Sequence, residues 1–152
     1  MEVILEIKPF ILYWPNGNTK TKQWIINKIR HRTDGPAIID YSESGTIQRE
    51  VWYLNNQYHR DHNPAISWYY ESGKIDLKYW YINGNRHKVD GPAFIRYYES
   101  GKVKQELWYI NGKELKNNEL IEYKEWLIDN NLYKPYNTWT DEEKVLWRLS
   151  WK

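Results

Sequence analysis

The sequence "HRTDGPAIIDY" at residues 31–41 occurs again as "HRDHNPAISWY" at 59–69 and as "HKVDGPAFIRY" at 87–97, each time after 28 residues. A catalytic site is normally needed once, whereas a turn is needed each time that the same folding unit recurs. The repetition therefore predicts a tandem array of one structural unit. Four further residue types keep the same step, at Trp24, Trp52, Trp80 and Trp108, at Asn27, Asn55, Asn83 and Asn111, at Gly17, Gly45, Gly73 and Gly101, and at Tyr13, Tyr41, Tyr69 and Tyr97.

Each unit has the pattern of two strands and two turns. The first strand begins at a proline, as in "PAFIRYY" (92–98), and "ESG" follows with glycine where a turn needs positive φ. The second strand, as in "VKQELWYIN" (103–111), ends at Asn-Gly or Asn-Asn, which is a strong hairpin signal. Lys28 interrupts this pattern in the first unit, so its turn is expected to differ.

The pattern predicts a mainly β fold, an antiparallel sheet of tandem 28-residue β-hairpin repeats capped by two short C-terminal α-helices. The array is assigned to residues 1–114, with units at about 9–34, 35–62, 63–90 and 91–114, and the helical cap to residues 115–152. The 10 Trp and 14 Tyr side chains suit a pleated, half-buried surface. The tryptophan ladder is expected to form the core, and it consists of Trp24, Trp52, Trp80 and Trp108.

The tail has two helical patterns. Residues 117–131 carry an apolar face at helical spacing, formed by Leu120, Tyr123, Trp126 and Leu127. Asn117 or Asn118 is expected to cap the start of this helix, and Asn130–Asn131 suit its end. Residues 138–152 begin with Thr140 and Glu143, the spacing of a capping box. The side chains expected to face inward from this second helix are Val145, Leu146, Leu149 and Trp147.

The repeated connection is interpreted as scaffolding. Its aspartate can accept a local backbone N–H, its glycine is expected to adopt an otherwise forbidden φ, and a nearby Arg or Lys can pair with the aspartate. Equivalent histidines would lie about 10 Å apart, too far to share one zinc ion, so no metal or cofactor is expected. The residues assigned to these structural turns are His31, Asp34, Gly35, Pro36, His59, Pro64, His87, Asp90, Gly91 and Pro92.

Several classes of function are excluded by composition and motifs. The net charge of +2 is too small for a nucleic-acid-binding field, and the absence of cysteine favours a cytoplasmic location. No signal peptide, membrane-spanning segment, nucleophile elbow or phosphate loop occurs in the sequence, so no enzyme and no catalytic residue is predicted. Carboxylates such as Glu50 and Glu106 are expected to pair across strands with Lys78.

Binding residues are expected where the units differ while the frame stays constant. Three such registers are Asp40/Trp68/Arg96, Ser42/Tyr70/Tyr98 and Arg49/Leu77/Gln105. The first two combine aromatic and charged side chains, as protein-binding surfaces do. The predicted partner-binding residues are therefore Asp40, Trp68, Tyr70, Arg96 and Tyr98. The alternative for Trp68 is that it packs under the helical tail.

Two segments carry a resemblance to a known family. "YYESGKIDLKYWYINGN" (69–85) and "YYESGKVKQELWYINGK" (97–113) resemble the variant form of the membrane occupation and recognition nexus repeat. The "HR.DGPA" extension is similar to tandem repeats common among predicted proteins of large DNA viruses and phages. The resemblance implies a hairpin-repeat fold and a viral or phage setting, with the host cytoplasm as the location.

The leading hypothesis is a non-enzymatic module that binds another protein, such as a host factor. A second hypothesis is a glycan- or choline-binding module that uses Trp68, Tyr70 and Tyr98. A third is membrane association, although the sequence lacks a basic amphipathic surface. Whether the edge of the first strand pairs with another copy to form a homodimer is left open.

Overall fold

The computed structural model describes residues 8–151, and it has the mainly β fold with two C-terminal helices that the sequence predicts. The strands are β1 (Phe10–Tyr13), β2 (Thr19–Gln23), β3 (Ile25–Ile26), β4 (Ile29–Arg30), β5 (Ile38–Tyr41), β6 (Ile47–Val51), β7 (Tyr53–Leu54), β8 (Gln57–Tyr58), β9 (Ile66–Tyr69), β10 (Ile75–Tyr79), β11 (Tyr81–Ile82), β12 (Asn85–Arg86), β13 (Phe94–Tyr97), β14 (Val103–Ile110) and β15 (Lys113–Leu115).

A large antiparallel sheet contains nine of these strands, in the order β1-β2-β5-β6-β9-β10-β13-β14-β15. Every long hairpin has a register shift near its turn, which leaves one residue of the second strand without a partner. These bulged residues recur every 28 positions, at Lys20, Gln48, Asp76 and Lys104. Because bulges increase local twist, each unit twists the sheet away from flatness at the same position.

The remaining strands form three two-stranded hairpins, β3-β4, β7-β8 and β11-β12. The sequence predicts one continuous second strand per unit, but the chain leaves the large sheet at Trp52 and again at Trp80. The N–H of Trp52 still donates to Ala65 O at 2.7 Å, and the chain beyond it pairs with itself. Only in the last unit of the described chain does one strand, β14, continue through the tryptophan.

The turns of these small hairpins are alike. Asn27 and Lys28 have φ of 50° and 68°, and Asn55 and Asn56 have 50° and 64°. Two successive positive φ values define a type I′ turn, whose twist suits a two-residue hairpin. The expectation that Lys28 changes the turn is therefore wrong, since lysine adopts the left-handed conformation here despite its steric cost.

Two helices and a short 3-10 turn complete the chain: α1 (Asn117–Asp129), the 3-10 helix Tyr136–Thr138 and α2 (Asp141–Ser150). The predicted capping box is confirmed, because Thr140 and Glu143 each accept the other's backbone N–H. The predicted asparagine cap of α1 is wrong: Lys116 occupies the N-cap position and its side chain makes no capping bond.

The main core lies between the last hairpin and the helices. Tyr123 and Leu127 of α1 are fully buried there, and Leu120 and Trp126 pack against them, which confirms the predicted face of α1. The buried residues of this cluster are Val89, Trp108, Ile110, Leu115, Tyr123, Leu127, Leu132, Trp139 and Trp147.

The predicted inward face of α2 is wrong in three of its four residues. Trp147 is buried, but Val145, Leu146 and Leu149 are exposed, and Leu149 keeps 81% of its surface accessible. The physical reason is size: Trp147 and, four residues on, Trp151 turn the opposite side of the helix toward the core, and an indole buries more area than an aliphatic side chain.

The tryptophan ladder is not a continuous core. Trp108 is buried at 4% exposure because the helices cover it, whereas Trp24, Trp52 and Trp80 are only half-buried. Cationic side chains lie over the three half-buried rings instead. The guanidinium carbons of Arg32 and Arg60 lie 3.8 Å from the ring centroids of Trp24 and Trp52, and Lys88 Nζ lies 5.2 Å from that of Trp80.

Candidate functional site

The histidines of the connections join each unit to the next. Nδ1 of His31 accepts the backbone N–H of Asn55 at 3.2 Å, and Nδ1 of His59 accepts that of Asn83 at 3.2 Å. Nδ1 of His87 accepts the N–H of Asn111 at 3.0 Å. Each bond satisfies the N–H of the first central residue of a hairpin turn, in β7–β8, β11–β12 and β14–β15, so these ring nitrogens are engaged with backbone.

The aspartates and glycines of the connections also have local roles. Asp34 pairs with Arg32 and Asp90 with Lys88, each at 2.9 Å. The Arg32 side chain lowers the pKa of the Asp34 carboxyl through this hydrogen bond. The expected positive φ of the glycine is wrong for Gly35, which does not adopt the left-handed conformation.

The close approach of a basic side chain explains why glycine occupies this position. A Cβ on Gly35 would lie 2.6 Å from Cζ of Arg32, and a Cβ on Gly91 would lie 2.5 Å from Nζ of Lys88. The basic side chain folds back over the glycine to reach the tryptophan ring. Pro36 and Pro64 take part through their carbonyl groups, which accept from Arg32 at 3.2 Å and from Arg60 at 3.4 Å.

Strand register brings two of the three variable registers into one line. We call this line the central row; it runs across seven neighbouring strands through Cα-paired residues, in the order Thr21, Asp40, Arg49, Trp68, Leu77, Arg96 and Gln105. Neighbouring strands lie about 4.8 Å apart, so the central row extends roughly 30 Å. The sequence placed Asp40, Trp68 and Arg96 in one register and Arg49, Leu77 and Gln105 in another, and antiparallel pairing interleaves them.

One half of the central row is internally paired. Arg49 Nε donates to Asp40 Oδ2 at 2.7 Å, and Asp40 also accepts from the hydroxyl of Thr21. The Arg49 guanidinium lies 5.0 Å from the centroid of the Trp68 ring. Arg49 is therefore fixed between an acid and an aromatic ring, and it orients both.

The other half of the central row is open to solvent. Trp68 is 39% exposed, and Arg96 and Gln105 are exposed. Trp68 does not belong to the core beneath the helices, so the alternative that it packs under the tail is wrong. The exposed part of the Trp68 indole, with Arg49 over its ring and Arg96 two strands away, offers a flat apolar surface with charged neighbours.

Arg96 has a partner that sequence analysis missed. Its Nε donates to Asp76 Oδ1 at 3.2 Å. Asp76 is the bulged residue of β10, and without the register shift strand alternation would place it on the side opposite to Leu77 and Arg96. No local sequence signal marks the bulge, because Lys20, Gln48 and Lys104 stand at the equivalent positions.

The remaining variable register, Ser42/Tyr70/Tyr98, lies along the turns, and its three residues have different roles. Ser42 is buried, and its hydroxyl donates to Glu71 of the next turn at 3.0 Å. Tyr70 reaches the next unit, where its hydroxyl donates to Tyr97 O at 2.8 Å. Tyr98 is 51% exposed. The structure thus leaves Tyr98 accessible and uses Ser42 and Tyr70 in contacts between units.

The two carboxylates expected to pair across strands, Glu50 and Glu106, lie on the opposite face of the sheet from the central row. Glu50 accepts the hydroxyl of Tyr69 at 2.6 Å, and burial together with this bond raises the pKa of Tyr69 to about 12. The expected pairing of Glu50 and Glu106 with Lys78 is wrong, because Ser67 lies between Glu50 and Lys78 and Ile95 lies between Lys78 and Glu106.

Among residues 8–151, no group of three or more His, Asp or Glu side chains is placed to hold a metal ion. Within the same residues, neither helix has the length and apolar character needed to cross a membrane. Comparison of the chain with protein-family models, with curated proteins and with solved structures gives no match.

Proposed function

We propose that the chain is a non-enzymatic interaction module that binds another protein through the exposed half of the central row. The single observation that supports this is the placement of unit-specific side chains in one row: Trp68 and Arg96 are both exposed and lie two strands apart, with Leu77 between them. Trp and Arg are the residues that most often supply the binding energy of protein interfaces.

The surrounding contacts support binding of a protein surface. Arg49 covers part of the Trp68 ring, and Asp76 holds Arg96, so both anchors are oriented before a partner arrives. Pre-organised side chains lose less entropy on binding. Tyr98 lies at the rim with Lys104 Nζ 5.3 Å from its ring centroid. From the repeat resemblance we infer a viral or phage origin, with a host protein in the cytoplasm as the partner.

The test is affinity capture from cells in which the protein occurs, comparing wild type with the double variant Trp68→Ala, Arg96→Ala. We expect a set of proteins that wild type recovers and the double variant recovers about tenfold less, because two central anchors are lost. The matched control is Tyr133→Ala, Arg148→Ala, which removes an exposed aromatic and an exposed basic side chain from the helical end.

The control should recover the same proteins as wild type. Equal recovery by wild type and the Trp68/Arg96 variant would contradict the proposal. Quenching of tryptophan fluorescence by choline or by sugars, lost in Trp68→Ala, would instead favour the ligand-binding alternative.

A further inference from the structure

The connection at residues 59–64 departs from the two others. In the other two connections an aspartate, Asp34 or Asp90, follows two residues after the basic residue. In this connection His62, with φ of 61°, stands at that position, and Asn63 replaces the glycine. Arg32 and Lys88 are paired with those aspartates, but Arg60 forms no ion pair with any of residues 8–151.

This connection forms one wall of a cavity of about 640 Å³. Sheet residues Lys78 and Trp80 form its floor, and the 3-10 turn at Tyr136 forms a further wall. The turn is held in place because its first N–H, that of Tyr136, donates to Asp90 Oδ2 at 2.7 Å. Small-molecule sites typically have volumes of about 300–1,000 Å³, so the cavity is large enough for a small ligand.

Neither of two cations in the cavity forms an ion pair in the described chain, although the charge of the Glu50 carboxylate partly offsets the effect of burial on the pKa of Arg60. The Arg60 guanidinium is held in position by the Trp52 ring and by Pro64 O, and burial lowers its pKa while leaving it charged. Lys78 is the fourth of the five residues of β10, and its Nζ lies 5.9 Å from the centroid of the Tyr97 ring. A half-buried cation without a counter-ion is destabilised by lost solvation, and an anion bound beside it would restore that interaction.

Of the two carboxylates that line the cavity, only Asp90 has a lysine or arginine partner. Asp90 pairs with Lys88 at 2.9 Å, and Asp61 lies 3.3 Å from Nε2 of His59 and is largely exposed. With the histidines neutral, the lining carries three positive charges, on Arg60, Lys78 and Lys88, and two negative charges, on Asp61 and Asp90, which leaves an excess of one positive charge.

The remaining walls suit a flat ring. Trp80 and Tyr136 contribute aromatic surface, and Ile82 and Val89 are apolar. The indole Nε1 of Trp80 is buried and has no acceptor within residues 8–151. Since this atom has less than 1 Å² of accessible surface, it does not face the cavity and takes no part in the site.

We propose that this cavity binds a small organic anion, a carboxylate or phosphate group carried on a flat ring. Arg60 and Lys78 hold the anionic group, and the ring lies against Trp80 and Tyr136. Lys78 alternates with Leu77 of the central row, so the cavity opens on the opposite face of the sheet from the proposed protein-binding surface. The site goes beyond the proposed function and is independent of it.

The test is isothermal titration calorimetry of the full chain with phenyl phosphate and with benzoate, which separates the two anionic groups. Phenol supplies the ring without the charge, and inorganic phosphate supplies the charge without the ring. We expect at least one ring anion to bind saturably at millimolar or lower concentration, about tenfold or more tighter than phenol and inorganic phosphate. Ring anions that bind no tighter than phenol would overturn the proposal.

The decisive variant is His62→Asp, which gives Arg60 the internal carboxylate that Arg32 has in the first connection. Aspartate tolerates the left-handed backbone at this position, so the variant should fold. We expect the affinity for the ring anion to fall about tenfold or more. Lys78→Gln should show a loss in the same direction, and Arg32→Gln, far along the repeat, should bind as wild type does. Wild-type affinity in both His62→Asp and Lys78→Gln would overturn the site.

Discussion

In each connection, one histidine ring nitrogen bonds to the backbone of the next unit. Nδ1 of His87 can accept the N–H of Asn111 only while it is unprotonated, and the ring also lies edge-on to Trp147, 5.8 Å between centroids. Burial lowers the pKa of the His87 imidazole below its usual 6.5. The neutral form is thus favoured in the folded state, whereas the unfolded chain takes up a proton more readily.

This shift predicts that acid destabilises the fold. A lowered folded-state pKa means that the contribution of His87 is complete above about pH 6.5 and is lost as the pH falls through its folded value. We expect thermal unfolding, followed by circular dichroism, to show a smaller loss of stability between pH 7.5 and pH 5 in His87→Gln than in wild type. His62→Gln, at an exposed histidine, should keep the wild-type dependence, and equal slopes in all three proteins would refute the role of His87.

At the scale of elements, the small hairpin is defined by its turn more than by its strands. Each strand of the three small hairpins has two residues, so the turn must set the geometry. Asn83–Gly84 and Asn111–Gly112 use glycine at the second central position, and Asn27–Lys28 forms the same turn with a lysine at φ of 68°. The turn of the first small hairpin therefore carries backbone strain that the two turns with glycine at this position avoid.

Lys28→Gly should relieve this strain. We expect the free energy of unfolding to rise by up to about 1 kcal/mol, since glycine adopts positive φ without a steric cost. Lys102→Gly is the control. Lys102 is exposed, as Lys28 is, and lies at a hairpin turn, but its φ is not positive. Urea denaturation should show lower or unchanged stability for the control, and a destabilised Lys28→Gly would contradict the strain argument.

The elements also show what sequence reasoning reaches. Hairpins, the capping box at Thr140 and the apolar face of α1 follow local rules, and they could be predicted. The bulge at Asp76 and the exposed side of α2 depend on tertiary packing. The spacing of a buried face occurs at Val145, Leu146 and Leu149, but the other side of α2, which carries Trp147, packs against the core. The central row could not be predicted without knowing how the strands pair, because antiparallel pairing interleaves residues from two different repeat positions.

On the scale of the whole molecule, packing is uneven. The largest buried cluster lies at the helical end, where Tyr123 donates to Val89 O at 2.7 Å and accepts from the Trp147 indole at 3.0 Å. The rest of the sheet has half-buried aromatic residues that are covered by cations, and each unit contacts its neighbours. Stability in such arrays is close to a sum of unit and interface contributions.

This distribution predicts a sharp difference between two leucines of the helical end. Leu127→Ala should lower the free energy of unfolding by about 2–5 kcal/mol, because a fully buried side chain leaves a cavity. Leu149→Ala removes the same atoms from an exposed position and should change it by about 0.5 kcal/mol or less. Chemical denaturation of both variants provides the measurement, and similar losses in the two would show that α2 buries the face that its sequence pattern suggests.

The position of the main core also bears on how the chain is made. Synthesis delivers the hairpins of residues 10–110 before the helices that close over Trp108. The early hairpins rely on short-range pairing, which forms quickly, while the aromatic cluster waits for α1 and α2. A chain released before residue 117 would therefore leave the last tryptophan of the ladder uncovered, and exposed apolar surface of this kind promotes aggregation.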